Sequence, residues 1–271
     1  MELFDAHTHL DAMATRAGLE PDGAFVDGVL AEARAAGVTR VITVADTLAS
    51  ARWCVAAARR HPDVYAAVAV HPTEIAELDD AGYAELEDLA RADEVVAVGE
   101  TGLDYYWDRT EPADQQLHFR RHIDLAKRVG KPLMIHDRDA HADVLRILRE
   151  EGAPDRVVFH SFSGDVAMAR ECAAAGYVLS FSGVITFRNA PQLREAAASV
   201  PLDQLLVETD APFLTPHPHR GKPNAPRLLP LTLAGLASAV GTEPERLAQA
   251  VEETGNRLFG FTSAAGREMS E

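Results

Sequence analysis

The sequence predicts a (β/α)8 TIM barrel, and three observations carry the prediction. Eight short runs of aliphatic and β-branched residues recur along the chain, separated by longer amphipathic stretches. Near-continuous apolar strands alternating with helices mark a parallel sheet covered on both faces. Glycines stand where a helix must stop before a strand. Histidines and acids gather at the C-terminal strand ends, the face on which such barrels carry their sites. An open doubly wound sheet is the alternative, but it would carry a glycine-rich loop after strand one. Here that strand runs directly into His7-Thr8-His9.

The expected strands are 3–5, 40–45, 65–70, 95–99, 132–135, 157–159, 178–181 and 205–207. Helices are expected over 26–36, 49–60, 83–91, 114–129, 142–150, 166–175 and 192–198, with two more, 228–240 and 245–258, after the last strand. Gly37, Gly130, Gly152 and Gly176 each follow a helical run and precede a strand. No linker divides the chain, so residues 1–261 are expected to be one domain, and the small, polar segment 262–271 a frayed tail.

Composition narrows the function classes. The chain has 271 residues, 47% hydrophobic and 25% charged, as ordinary globular proteins do. No apolar run approaches the roughly 18–20 residues that cross a bilayer, and the start lacks a basic, then apolar, leader. With only Cys54 and Cys172, a disulfide framework is excluded and a cytoplasmic monomer is expected. The net charge of −16 argues against a broad basic face for nucleic acid. It leaves room for a local anion site, since two divalent ions add about four positive charges.

The candidate ligands occupy one level of the barrel. His7 and His9 follow strand one, Glu100 ends strand four, His136 strand five and His160 strand six, and Asp210 follows strand eight. Residues two apart on a strand share a face, so His7 and His9 can grip one ion. Glu100 is the natural bridge to a second. A carboxylated lysine would serve as well, but Lys127, Lys131 and Lys222 are the only lysines and none ends a strand. His136 and His160, on adjacent strands, would hold the second ion. Asp210 would bind the first and take a proton from water; Asp210 and Glu100 are thus the expected catalytic groups. Imidazole with carboxylate suits zinc, manganese or other first-row ions. Water between two metals about 3.5–4 Å apart ionises near neutral pH and attacks phosphorus or carbon.

Other residues on that face are expected to meet substrate. His71 follows strand three, Arg138 lies just past His136, and Arg220 sits in the loop after strand eight, with His217, His219 and Lys222. Tyr105, Tyr106, Trp107, Phe162 and Phe187 share these loops; arginine for phosphate and aromatic rings for bases suit a single-stranded end. His61, His118, His122 and His141 lie in or beside helices and read as surface or packing residues.

These motifs resemble the TatD family of metal-dependent deoxyribonucleases from about residue 3 to 260. The resemblance rests on FDAHTHLD (4–11), AVHPTE (69–74), GETGLDYYWD (99–108), PLMIHDRDAHAD (132–143), HSFSGD (160–165), FSGVITFRNA (181–190) and LLVETDAPFLTPHPHRGKPNAP (205–226). It implies a TIM barrel with two divalent ions (Zn, Mn or Mg). The family's ligand pattern carries onto His7, His9, Glu100 and Asp210 for one ion, and Glu100, His136 and His160 for the other. The departures are Thr101, where the family customarily has isoleucine, and the variable loop around His217. The implied activity is exonuclease hydrolysis of phosphodiester bonds at DNA ends. Hydrolysis of an ester or amide, such as an aminoacyl-RNA, uses the same ligands, and a non-catalytic binding module is the third possibility.

Overall fold

A computed structural model describes residues 2–261; the segment expected to fray, 262–271, lies outside them. The eight strands are β1 (Leu3–Thr8), β2 (Val38–Val44), β3 (Val64–Ala67), β4 (Val95–Asp104), β5 (Leu133–Arg138), β6 (Val157–Phe159), β7 (Val178–Phe181) and β8 (Leu205–Val207). They pair in sequence order and every pair is parallel. The seam between β8 and β1 closes beyond the end of β8. There the Asp210 N–H donates to the His7 carbonyl (2.9 Å) and the His9 N–H to the Ala211 carbonyl (2.8 Å). The expected barrel is the observed fold.

The helices are α1 (Leu10–Arg16), α2 (Gly23–Ala35), α3 (Leu48–Arg60), α4 (Asp80–Ala90), α5 (Pro112–Val129), α6 (His141–Glu151), α7 (Val166–Ala174), α8 (Pro191–Ala198), α9 (Leu229–Val240) and α10 (Pro244–Phe259). Asp22, Thr47, Asp79 and Asp165 cap α2, α3, α4 and α7 by accepting a backbone N–H of the first turn. Helix α1 went unforeseen because it buries only Leu10 and Ala14, too little for a periodic pattern. Among the described residues no helix is long and apolar enough to cross a membrane.

Strand ends differ from expectation where they matter most. Strands one, four and five were expected to stop at residues 5, 99 and 135; they run on to Thr8, Asp104 and Arg138. Polar residues read as strand ends, yet those extending β1 and β4 are buried, those extending β5 half-buried to exposed, and the ladder continues through them at the barrel mouth. Strand three ends at Ala67, earlier than expected. The β4–β5 extension pairs Gly102 with His136 and Asp104 with Arg138. Gly102 has φ +142°, and a Cβ there would meet the His136 carbonyl oxygen at 2.0 Å. Only glycine lets the two backbones approach so closely.

Candidate metal centre

The mouth of the barrel holds two pairs of histidines with one carboxylate between them. In the first pair, Nε2 of His7 and Nε2 of His9 lie 3.1 Å apart. In the second, Nδ1 of His136 and Nε2 of His160 lie 3.1 Å apart. Glu100 reaches both. Its Oε1 is 3.6 Å from His7 Nε2 and 3.4 Å from His9 Nε2. Its Oε2 is 3.1 Å from His136 Nδ1 and 2.7 Å from His160 Nε2. Asp210 lies nearest the first pair, with Oδ1 3.4 Å from His9 and 3.8 Å from His7, and a ligand atom of His160 lies within 4.8 Å of it. The rings of His7 and His160 stack at 4.0 Å, which brings the pairs together.

Local structure explains each placement. His7 lies in β1, and His9, two residues on, keeps the same face. Glu100 lies within β4 rather than in a helix-capping turn, and His136 faces it from β5. Asp210, at φ +54°, is turned toward the first pair by the backbone bonds that close the barrel. All six residues expected as ligands therefore come together.

The far ring nitrogens are also engaged. His136 Nε2 faces Asp104 Oδ2 (3.0 Å), and His160 Nδ1 faces Glu208 Oε1 (3.3 Å), which also accepts the Ser161 N–H (2.7 Å). His9 Nδ1 faces the Val44 carbonyl (3.1 Å) and Asp46 (3.4 Å), while His7 Nδ1 meets Met134 Sδ (3.3 Å). With protons held on the far side, loss of the extra protons would leave lone pairs on the near nitrogens, facing one another and Glu100. Such a donor set is satisfied by a cation, and its imidazole and carboxylate chemistry fits a first-row divalent ion.

The electrostatics agree. Burial would raise Glu100, but His160 and His7, with the His136 hydrogen bond, hold its carboxyl well below the usual range. Burial would lower His9, but Asp46, Asp210 and Glu100 hold it well above the ordinary histidine range. Glu100 and Glu208 likewise outweigh burial at His160. Protons on these histidines thus balance acids that a metal would otherwise balance. His7 is pushed down to about 4, chiefly by burial with His160 adding to it.

A cleft of about 1270 Å³ opens above the centre, lined by His9, Glu100, His136, His160 and Asp210 among others. His71 and Arg138 line it as well; Arg220 does not, and lies 4.0 Å over the Phe187 ring. His71 stands close enough to Glu100 and His136 for one ligand atom from each to lie within 4.8 Å. Its Nδ1 bonds the Thr73 hydroxyl at 2.7 Å, and burial, then His136, pushes it down to about 3. His217 and His219 are not among the lining residues.

Sequence reasoning missed several members. Asp104 shares the face of Glu100 by even spacing along β4, a signal lost when the strand was ended early. Asp46 and Glu208 adjoin strand ends, but nothing in the sequence tied them to particular histidines. His141, read as packing, lines the cleft with Nδ1 2.8 Å from Asp137. His61 and His122 are buried, the latter bonded to the His118 carbonyl, as the packing reading expected.

Known proteins share this arrangement of sequence and fold. A family model described as TatD related DNase matches residues 4–260. A Mycobacterium tuberculosis protein named an uncharacterized metal-dependent hydrolase TatD is 54% identical over 264 residues, covering 96% of this chain and 98% of its own. A Cronobacter turicensis protein named 3′-5′ ssDNA/RNA exonuclease TatD is 37% identical over 240 residues, covering 86% and 91%. The crystal structure of YjjV, a TatD homologue from Escherichia coli K12, matches with a TM-score of 0.88 at 30% identity, covering 96% of this chain and 98% of that one. Barrel, donor set and relatives converge, and the chain belongs to the TatD family of metal-dependent hydrolases.

Proposed function

We propose that this hydrolase cleaves phosphodiester bonds at the ends of DNA or single-stranded nucleic acid, with two divalent ions as cofactors. The observation that carries the two-ion reading is Glu100, whose two oxygens face two separate histidine pairs. His7, His9, Glu100 and Asp210 would hold one ion, and Glu100, His136 and His160 the other; zinc and manganese suit imidazole with carboxylate, whereas magnesium would rely on the two carboxylates and water. When bound, the ions supply a water that ionises near neutral pH and Lewis-acid stabilisation of the developing charge.

The chain's own groups do the rest. Asp210 is 8% exposed and lines the cleft, so it can accept the proton of the attacking water. Glu100, held ionised by the surrounding histidines, keeps the two pairs in register. Arg138, exposed in the cleft, and His71, on its wall, are placed to hold phosphate, whereas Arg220 could act only from outside the lining. The Cronobacter turicensis relative supports nucleic acid as the substrate class.

The test is direct. Protein loaded with Mg2+, Mn2+ or Zn2+ is expected to shorten end-labelled single-stranded DNA, and His136→Ala to abolish the activity. No shortening by demonstrably metal-loaded protein would overturn the DNA reading. Turnover of aminoacyl-RNA or simple esters under the same conditions would move the function to ester or amide hydrolysis.

A further inference from the structure

Five large apolar side chains stand exposed among the described residues, and three of them, Tyr106, Trp107 and Phe213, belong to loops at the barrel mouth. Trp107 (48% exposed) and Phe213 (44%) both line the cleft. Trp107 follows β4 and Phe213 follows β8, four strands apart in an eight-stranded ring, so the rings rise from opposite sides.

Each residue is linked to a different histidine pair, Phe213 through its ring and Trp107 through its backbone. Phe213 packs edge-on against His9 of the first pair, centroids 6.0 Å apart. The Trp107 backbone N–H donates to Asp104 Oδ1 (3.1 Å), and the other oxygen of Asp104 faces His136 of the second pair. The Phe213 backbone is fixed at both ends. Its N–H donates to the Asp210 carbonyl (2.8 Å), and its carbonyl accepts from the Asn224 amide (2.7 Å). Asn224 is itself buried and donates also to the Thr209 carbonyl. A large exposed ring on an anchored backbone is preorganised for a flat partner, since little backbone freedom remains to be lost on binding.

We propose that Phe213 and Trp107 form a two-sided clamp that stacks the bases on either side of the cleaved linkage in a single-stranded nucleic acid. The inference rests on the phosphodiesterase reading above and names how a strand is gripped. At a net charge of −16 the chain lacks the basic excess that holds strands by counterion release. Stacking provides a grip that tolerates any base, because every base has a π-face. Arg109, paired with Glu74, and Arg138, 3.8 Å over the Tyr106 ring, lie 5.7 and 5.8 Å from the Trp107 ring and put cations beside that stacked base for its phosphate. An ester without rings would leave both platforms empty.

Trp107 reports on its own occupancy. The chain has two tryptophans, and Trp53 is tied to the Pro21 carbonyl away from the cleft lining, so Trp53→Phe leaves Trp107 as the sole emitter. Rapid mixing of this Mg2+-loaded variant with a short oligodeoxynucleotide or oligoribonucleotide is expected to quench its emission before cleavage. Deoxyribose 5-phosphate, which lacks a base, is expected to leave it unchanged. Phe213→Leu and Trp107→Leu, checked for unchanged melting temperature and metal content, are each expected to raise the half-saturating strand concentration about tenfold. Strand shortening without quenching, or wild-type KM in both leucine variants, overturns the clamp and spares the phosphodiesterase reading. A loaded protein that neither binds nor shortens any strand overturns both.

Discussion

The two histidine pairs look alike from the cleft and differ behind it. Behind the second pair stand carboxylates: Asp104 on His136 and Glu208 on His160. Behind the first the acceptors are mixed: a thioether on His7, and on His9 a backbone carbonyl at 3.1 Å with the Asp46 carboxylate at 3.4 Å. In compensation, the first pair has Asp210 as an additional front carboxylate. A carboxylate behind an imidazole fixes its tautomer and makes the front nitrogen a stronger donor. The difference teaches that one pair leans on carboxylates behind it and the other on an extra carboxylate in front.

Removing outer partners should therefore divide the pairs. Asp104→Asn and Glu208→Gln are expected to weaken binding at the second position by about 10–100-fold while sparing the first, read by metal titration with elemental analysis. Equal losses at both positions would erase the contrast. Acid should act next most strongly. His9 and His160 hold protons above the ordinary histidine range, and those protons must leave before a metal enters. Affinity is therefore expected to rise with pH, by about tenfold per pH unit for each proton released. Calorimetry in buffers of different ionisation heat counts the protons. Asp46→Asn should have the smallest effect, a few-fold and below the about tenfold floor for outer partners, because the Val44 carbonyl at 3.1 Å still holds His9.

How much of this was legible beforehand follows from the same contrast. Periodicity revealed eight strands, and β6, β7 and β8 have the expected limits, since apolar runs bounded by turns leave little choice of ends. The six front residues could be found because each lies in or beside a recognisable strand. Strands one, four and five were cut short because His7, Glu100 and His136 look like loop residues until their partners are known. Asp104 and Glu208 act through contacts 32 and 48 residues along the chain, which no local spacing encodes. Phe213 is set apart by its exposure, which its residue type does not encode.

The seam between β1 and β8 couples the centre to the order in which a chain is made. His7 and His9 leave the ribosome early, and Asp210, whose N–H bonds the His7 carbonyl, emerges more than two hundred residues later. A chain stopped before β8 carries His7, His9, Glu100, His136 and His160 but has nothing to close the ring around them. The residues just past the last strand supply both the closing hydrogen bonds and Asp210, so closure of the ring and arrival of Asp210 beside His7 and His9 are one step.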